Sequence, residues 1–272
     1  MTANRYSLLA AAAGLMLAAT GVAAGALEEG QAAFEAGRYE AAFMSFSRAF
    51  ADGDGEGAYA AARMLELGLG VDRDPVSAAV LYRRGMEAGH PACLNRVALM
   101  YYRGEQRVGQ NYPQALALFA RAAEAGDANG TFNLGKMYFE GKGTDRDIER
   151  ALALYRQAGE RDHVLALNTL GSLYKSGSQE GDLDKARGYF ERSAQLGNAL
   201  GLYETALFHL HDGDSPQNLR AAHTNLNLAS ARGFDKASEA LEQLTASMRP
   251  DDVAAAQANA RAFKAAPAPK GD

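Results

Sequence analysis

Five glycines, Gly68, Gly104, Gly141, Gly177 and Gly213, stand at intervals of 36, 37, 36 and 36 residues. A fixed period of this length demands a stack of near-identical units, each too small to bury its own apolar face. Three residues before the glycines stand Leu65, Tyr101, Tyr138, Tyr174 and Leu210; six before, Ala62, Ala98, Gly135, Gly171 and Leu207; seven before, Ala61, Val97, Leu134, Leu170 and Ala206. These offsets put the residues on one helix face. The glycine ends that helix, because a left-handed cap there costs a residue with a Cβ about 1–2 kcal/mol.

A second helix follows each glycine. Asp74, Asn111, Asp147, Asp182 and Asn218 are the expected N-caps, with side-chain oxygens that accept an orphan backbone N–H. Four residues later comes Ala78, Ala115, Ala151, Ala186 or Ala222, and eight later Tyr82, Phe119, Tyr155, Phe190 or Leu226. Ala42 and Phe46 repeat that pair once more upstream. A small residue lets two helices approach, and the large one fills the gap between units. The spacing from glycine to cap varies between five and seven residues. The loops therefore absorb the length changes, as surface connections do.

The run Asn133-Leu134-Gly135-Lys136-Met137-Tyr138-Phe139-Glu140-Gly141-Lys142-Gly143 resembles the first half of a Sel1-like repeat, and Glu149-Arg150-Ala151-Leu152-Ala153-Leu154-Tyr155 its second half. Gly68-Leu69-Gly70-Val71-Asp72-Arg73-Asp74 matches that family's loop signature. The resemblance covers about residues 57–234. The second unit departs from it with a longer loop, Gly104 to Gln110, and the fifth with Leu207 and Leu226 at small and aromatic positions. The resemblance implies an all-α fold, an α/α solenoid wound as a right-handed superhelix of helix-turn-helix repeats. It also implies a concave groove that docks proteins or peptides. In tetratricopeptide-type arrays that wall is lined by first-helix positions facing away from the core. These are Tyr59, Arg63 and Glu66; Asn95, Leu99 and Tyr102; Phe132, Lys136 and Phe139; Asn168, Ser172 and Lys175; and Glu204, Phe208 and His211. Exposed aromatics in that row suit a protein epitope.

The expected organisation is a signal peptide over residues 1–26, a tetratricopeptide-like hairpin over 27–54, five repeats over 55–234, capping helices over 235–264 and a disordered tail over 265–272. Residues 1–26 hold one basic residue, Arg5, no acid, a Leu/Ala-rich core from Leu8 to Ala19, and a small-residue cleavage pattern at Ala24-Gly25-Ala26. This pattern implies secretion to a bacterial periplasm, with an uncleaved anchor as the alternative. Cleavage would leave no membrane-inserted segment.

The net charge of −5 comes with no basic block. That argues against nucleic acid and against an anionic membrane surface as partners. Cys93 is the single cysteine, so no intrachain disulfide forms, and its expected place is the core. A monomer is expected.

Few residues suggest chemistry. Asp52-Gly53-Asp54-Gly55-Glu56-Gly57 resembles the start of a calcium loop, but Arg63 stands where the twelfth-position Glu belongs, so a turn is expected. His209 and His211, two apart on a helix, point about 200° from one another. His90, His163 and His223 fall at turns or on a helix surface, without zinc spacing. No nucleophile or phosphate-loop motif stands apart from the repeat. The expected function is therefore a non-enzymatic, cofactor-free, metal-free adaptor or regulator that binds a protein or peptide partner. The alternatives are a cell-wall-associated or β-lactam-binding enzyme, as some cysteine-rich Sel1-like proteins imply, and a scaffold for an envelope complex or a restraint on a sensor kinase.

Overall fold

The structure is a computed structural model that describes residues 25–106, 108–177 and 182–266. These residues form fourteen helices and no strand. Helix α1 covers residues 25–35, and α2 follows at Tyr39–Ala51. The first helices of the five repeats are α3 (Gly55–Leu67), α5 (Pro91–Arg103), α7 (Ala128–Glu140), α9 (Val164–Lys175) and α11 (Ala199–His211). Their second helices are α4 (Pro75–Glu87), α6 (Tyr112–Glu124), α8 (Ile148–Gly159), α10 (Leu183–Gln195) and α12 (Pro216–Ser230). Helices α13 (Asp235–Ser247) and α14 (Pro250–Ala262) follow. The fold is an all-α solenoid of helical repeats. It divides into two compact units, residues 1–146 and 147–272. The apolar segment expected to direct secretion lies in residues 1–24, outside the described residues. Gly25 and Ala26 of the expected cleavage pattern are helical, and Ala26 is buried.

Capping chemistry sets the helix starts. Asp74, Asn111, Asp147 and Asp182 each accept a backbone N–H at the start of a second helix. The fifth copy differs from expectation: Ser215 is the cap, and its hydroxyl accepts from the Asn218 N–H at 3.1 Å. Pro216 at the first helical position, with its preset φ, draws the start forward. The Asn218 amide instead donates to the Gly213 carbonyl at 3.1 Å.

The first helices use a second row of caps: Asp54, His90, Asp127, His163 and Asn198. The two histidines accept through Nδ1, from Cys93 N–H at 3.4 Å and Ala166 N–H at 3.2 Å. A ring nitrogen that accepts carries no proton, so each imidazole is protonated on Nε2. His90 points that nitrogen at the Glu56 carboxylate, 2.8 Å away. Asp54, at the head of the calcium-like run, caps α3 with N–H groups of Glu56 and Gly57, as a turn requires.

At the exits, Gly68, Gly104 and Gly141 are left-handed C-caps with φ of 72°, 72° and 69°. Gly177 and Gly213 come one residue after Ser176 and Asp212, which close α9 and α11. The exposed carbonyls near the first three exits gain a side-chain donor. Arg73 Nε bonds Glu66 O at 3.0 Å, Gln110 Nε2 bonds Tyr102 O at 3.0 Å, and Arg146 Nε bonds Phe139 O at 3.1 Å. A Cβ on Gly143 would lie 2.7 Å from the Tyr112 carbonyl, so only glycine lets the loop after α7 lie against the start of α6.

The large and small rows pack as the period requires. Tyr82, Phe119, Tyr155, Phe190 and Leu226 are all buried, as are Ala78, Ala115, Ala151, Ala186 and Ala222. Burying each large side chain contributes about 2–3 kcal/mol. In the second unit, α13 and α14 both pack on α12, and the chain then turns back so that the Ala266 N–H meets the Gln195 carbonyl at 2.8 Å. Ala265 and Ala266, placed by sequence in a disordered tail, are thus held to the end of α10.

Candidate functional site

In the first unit the expected wall residues tie successive repeats together. Arg63 is exposed and donates to the Tyr59 hydroxyl at 3.2 Å, and the Tyr59 ring stacks on His90 with centroids 5.4 Å apart. Glu66 accepts from the Tyr82 hydroxyl at 2.8 Å and from Arg96 Nε at 3.1 Å. Arg96 reaches on to Glu105 at 3.0 Å. Burial raises the Glu66 pKa, but the hydrogen bonds from Arg96 and Tyr82 outweigh it and hold the carboxyl below the usual carboxylate value. Burial, then the Glu66 hydrogen bond, pushes the Tyr82 phenol up.

A second cluster joins α5, α6 and α7. The Tyr102 hydroxyl donates to Glu140 and accepts from Lys142, each at 2.8 Å, while Lys142 meets Glu140 at 2.9 Å. The Lys142 ammonium lies 4.8 Å from the Tyr102 ring centroid and 5.5 Å from that of Tyr112. Lys136 sits 5.6 Å from the Tyr102 ring and 3.8 Å from Glu140. Asn95 accepts from the Asn133 amide at 2.9 Å. Leu99, Phe132 and Phe139 are half-buried, and Arg146 lies over the Phe139 ring at 5.7 Å.

In the second unit four of the expected residues, Lys175, Glu204, Phe208 and His211, line one recess of about 230 Å³ with Leu183 and Leu207. Lys175 and Glu204 form an ion pair across its rim. Leu183 is 51% exposed. Two expected wall residues are buried instead. Asn168 is bonded to Asn198 at 3.0 Å and to the Ser193 hydroxyl at 2.7 Å, so it joins α9 to α10 and to the cap of α11. Phe208 packs on Phe190, and the Arg187 guanidinium lies 4.9 Å from its ring while bonding Asp212 twice at 2.7 Å. Phe208 thus forms part of the recess as a packed residue. Ser172 is exposed.

Sequence reasoning passed over Leu183. The residue after each cap is apolar in all five copies, Pro75, Tyr112, Ile148, Leu183 and Pro216, and that row is visible in the period. Arg187 gave no comparable signal. Among the described residues no group of three or more His, Cys, Asp and Glu side chains has the arrangement of a metal site. Nor is any described helix long and apolar enough to cross a membrane. Cys93 is fully buried, and burial pushes its thiol up to about 12, which keeps it in the unreactive form.

Stacked helix pairs of this kind define a helical-repeat protein. The sequence matches the Sel1 repeat over residues 55–90, 91–127, 128–163, 164–198 and 199–234, and the chain belongs to that family. Among curated relatives, it is 32% identical over 146 residues to the Sel1-repeat-containing protein YjcO of Escherichia coli K12, covering 51% of this chain and 64% of YjcO. It is 28% identical over 143 residues to HRD3B of Arabidopsis thaliana, a component of an ERAD-associated E3 ubiquitin-protein ligase, covering 47% of this chain and 23% of HRD3B. The chain therefore spans less than two thirds of the length of these relatives. Among solved structures, c5321, a protective antigen of uropathogenic Escherichia coli, aligns with a TM-score of 0.68 at 25% identity, over 91% of this chain and 55% of c5321.

Proposed function

We propose that this protein is a periplasmic adaptor or regulator that docks a segment of a partner protein on its first-helix face, and that it performs no catalysis itself. The observation that carries this reading is the recess of the second unit. Its apolar members, Leu183, Leu207 and Phe208, receive an apolar side chain, and the Lys175–Glu204 pair and His211 at the rim offer polar contacts to the flanking backbone. An apolar centre inside a polar rim is the anatomy of a protein interface. The similarity to HRD3B, itself a component of a larger assembly, supports a partner-binding role. The periplasmic part rests on the pattern in residues 1–26.

A photo-crosslinking residue at Leu183 in the native cell, with one at the exposed Glu124 as control, tests the docking face. A partner crosslinked from Leu183 and lost in Leu207→Glu supports it; equal crosslinking from both positions refutes it. Fractionation and N-terminal sequencing of the mature protein test secretion separately.

A further inference from the structure

A second recess, of about 200 Å³, opens in the same unit between α10, α11 and α12. It shares no lining residue with the docking recess. Leu202 and Ala194 form its apolar floor, and Glu191, Gln195, Thr205, His209 and Asn225 supply polar groups. Phe263 closes one side. This phenylalanine begins the extended strap that ends with Ala266 on the Gln195 carbonyl, and Arg232 lies 5.7 Å from its ring.

Thr205 sets this recess apart. The other described helical threonines, Thr131, Thr169, Thr224 and Thr245, all return the hydroxyl to the carbonyl four residues back, at 2.6–2.8 Å. Thr205 does not. Its Oγ1 is buried and has no hydrogen-bond partner, a condition that folded proteins avoid. A buried hydroxyl without a partner, on a residue that lines a recess together with amides, an imidazole and a carboxylate, lacks a ligand group to complete it.

We infer that this recess is a binding site for one small uncharged ring bearing hydroxyl and amide groups, the chemistry of a single sugar, with Thr205, Glu191 and Asn225 as its hydrogen-bonding partners and Phe263 as the face on which the ring stacks. The size fits: the recess is smaller than the roughly 300–1,000 Å³ of pockets for drug-sized ligands. The charge fits as well, since the lining holds one carboxylate and no lysine or arginine, which favours an uncharged ligand over an anion.

NMR titration of the full chain with N-acetylglucosamine tests the site, because that probe carries ring hydroxyls and an acetamide. Saturable shifts at Thr205, His209 and Asn225 are expected in the wild type. Thr205→Val keeps the shape and removes the orphan hydroxyl, so it should fold at least as well and bind at least tenfold more weakly; Glu191→Gln and Phe263→Ala should also weaken binding. Glucose 6-phosphate should give no saturable shift. No saturable shift with N-acetylglucosamine, undiminished binding by Thr205→Val, or equal binding of glucose 6-phosphate overturns the inference.

Discussion

Arg192 holds Asp162 in a backbone conformation that other repeats reserve for glycine. At this inter-repeat turn Gly53, Gly89, Gly126, Gly197 and Gly233 take positive φ values of 77–91°, and Asp162 takes 61°. Its carboxylate bonds Arg192 twice, Nε to Oδ1 and Nη2 to Oδ2, both at 2.6 Å. A residue with a Cβ costs about 1–2 kcal/mol there, less for Asp than for most. A half-exposed bidentate pair returns up to about 1 kcal/mol. Asp162→Ala loses the pair and keeps the strain, so it should destabilise by about 1–2 kcal/mol. Asp162→Gly loses both and should stay within about 0.5 kcal/mol of wild type. Urea unfolding of both, alone and with Arg192→Ala, measures the balance.

Cys93 and Gly85 make a similar exchange inside the core. Where two successive helices meet, Ala49–Gly57, Ala122–Gly130 and Ser193–Gly201 put glycine on the later helix, whereas Gly85–Cys93 and Gly159–Leu167 put it on the earlier one. A Cβ on Gly85 would collide with the Cys93 sulfur. Gly85→Ala should cost about 1–3 kcal/mol by overpacking. Adding Cys93→Gly should recover most of that loss, because the pair then matches Ala122 and Gly130. A double-mutant cycle by denaturant unfolding gives the coupling. Two independent, additive losses would show that the two sites do not share this space.

The Arg96 ties predict a pH dependence in the first unit. Glu66 and Glu105 are both held below the ordinary carboxylate value of 4.5, because the Arg96 hydrogen bonds outweigh burial. A carboxyl with a lowered folded-state pKa contributes stability that is fully present above its unfolded value. That contribution fades as the pH drops below about 4.5 and through the folded values. Arg96→Met should therefore lose about 1–3 kcal/mol at neutral pH and distinctly less near pH 3. Urea midpoints of wild type and variant at the two pH values check this. A loss independent of pH would assign Arg96 a packing role only.

The repeat period is legible because two backbone preferences recur in every repeat: a glycine at or just after the exit of the first helix, and an alanine at the close crossing of the second. The same logic read the caps of four second helices. It fails at Asn218, where Ser215, three residues earlier, and Pro216 after it offer a better start. His90 and His163 were unreadable as caps because imidazole serves that role only when Nδ1 is bare, which depends on local geometry. Asn168 and Phe208 were placed on the wall by a register counted within one helix. Ser193 and Asn198 close over the first, and Phe190 and Arg187 over the second; these contacts come from neighbouring helices and leave no trace in the period. Thr205 is likewise ordinary in sequence and becomes distinct only once its hydroxyl is seen to lack a carbonyl.

His223 gives the second unit a pH response at a milder value. The residue is buried on α12, with Nε2 3.1 Å from the Thr245 hydroxyl and Nδ1 buried without a partner. That hydroxyl donates to the Leu241 carbonyl at 2.6 Å, so it accepts from His223, which places the ring proton on Nε2 and leaves Nδ1 bare. Burial pushes the imidazole below its ordinary 6.5. The unfolded chain then binds a proton more readily than the folded one, so stability should fall as the pH drops from about 6.5 toward the folded value. His223→Gln, which keeps a donor for Thr245 and cannot titrate, should flatten that slope. Hydrogen exchange of α12 and α13 amides at pH 7 and pH 5 reads the local effect. An equal pH response in wild type and His223→Gln would mean that another group titrates.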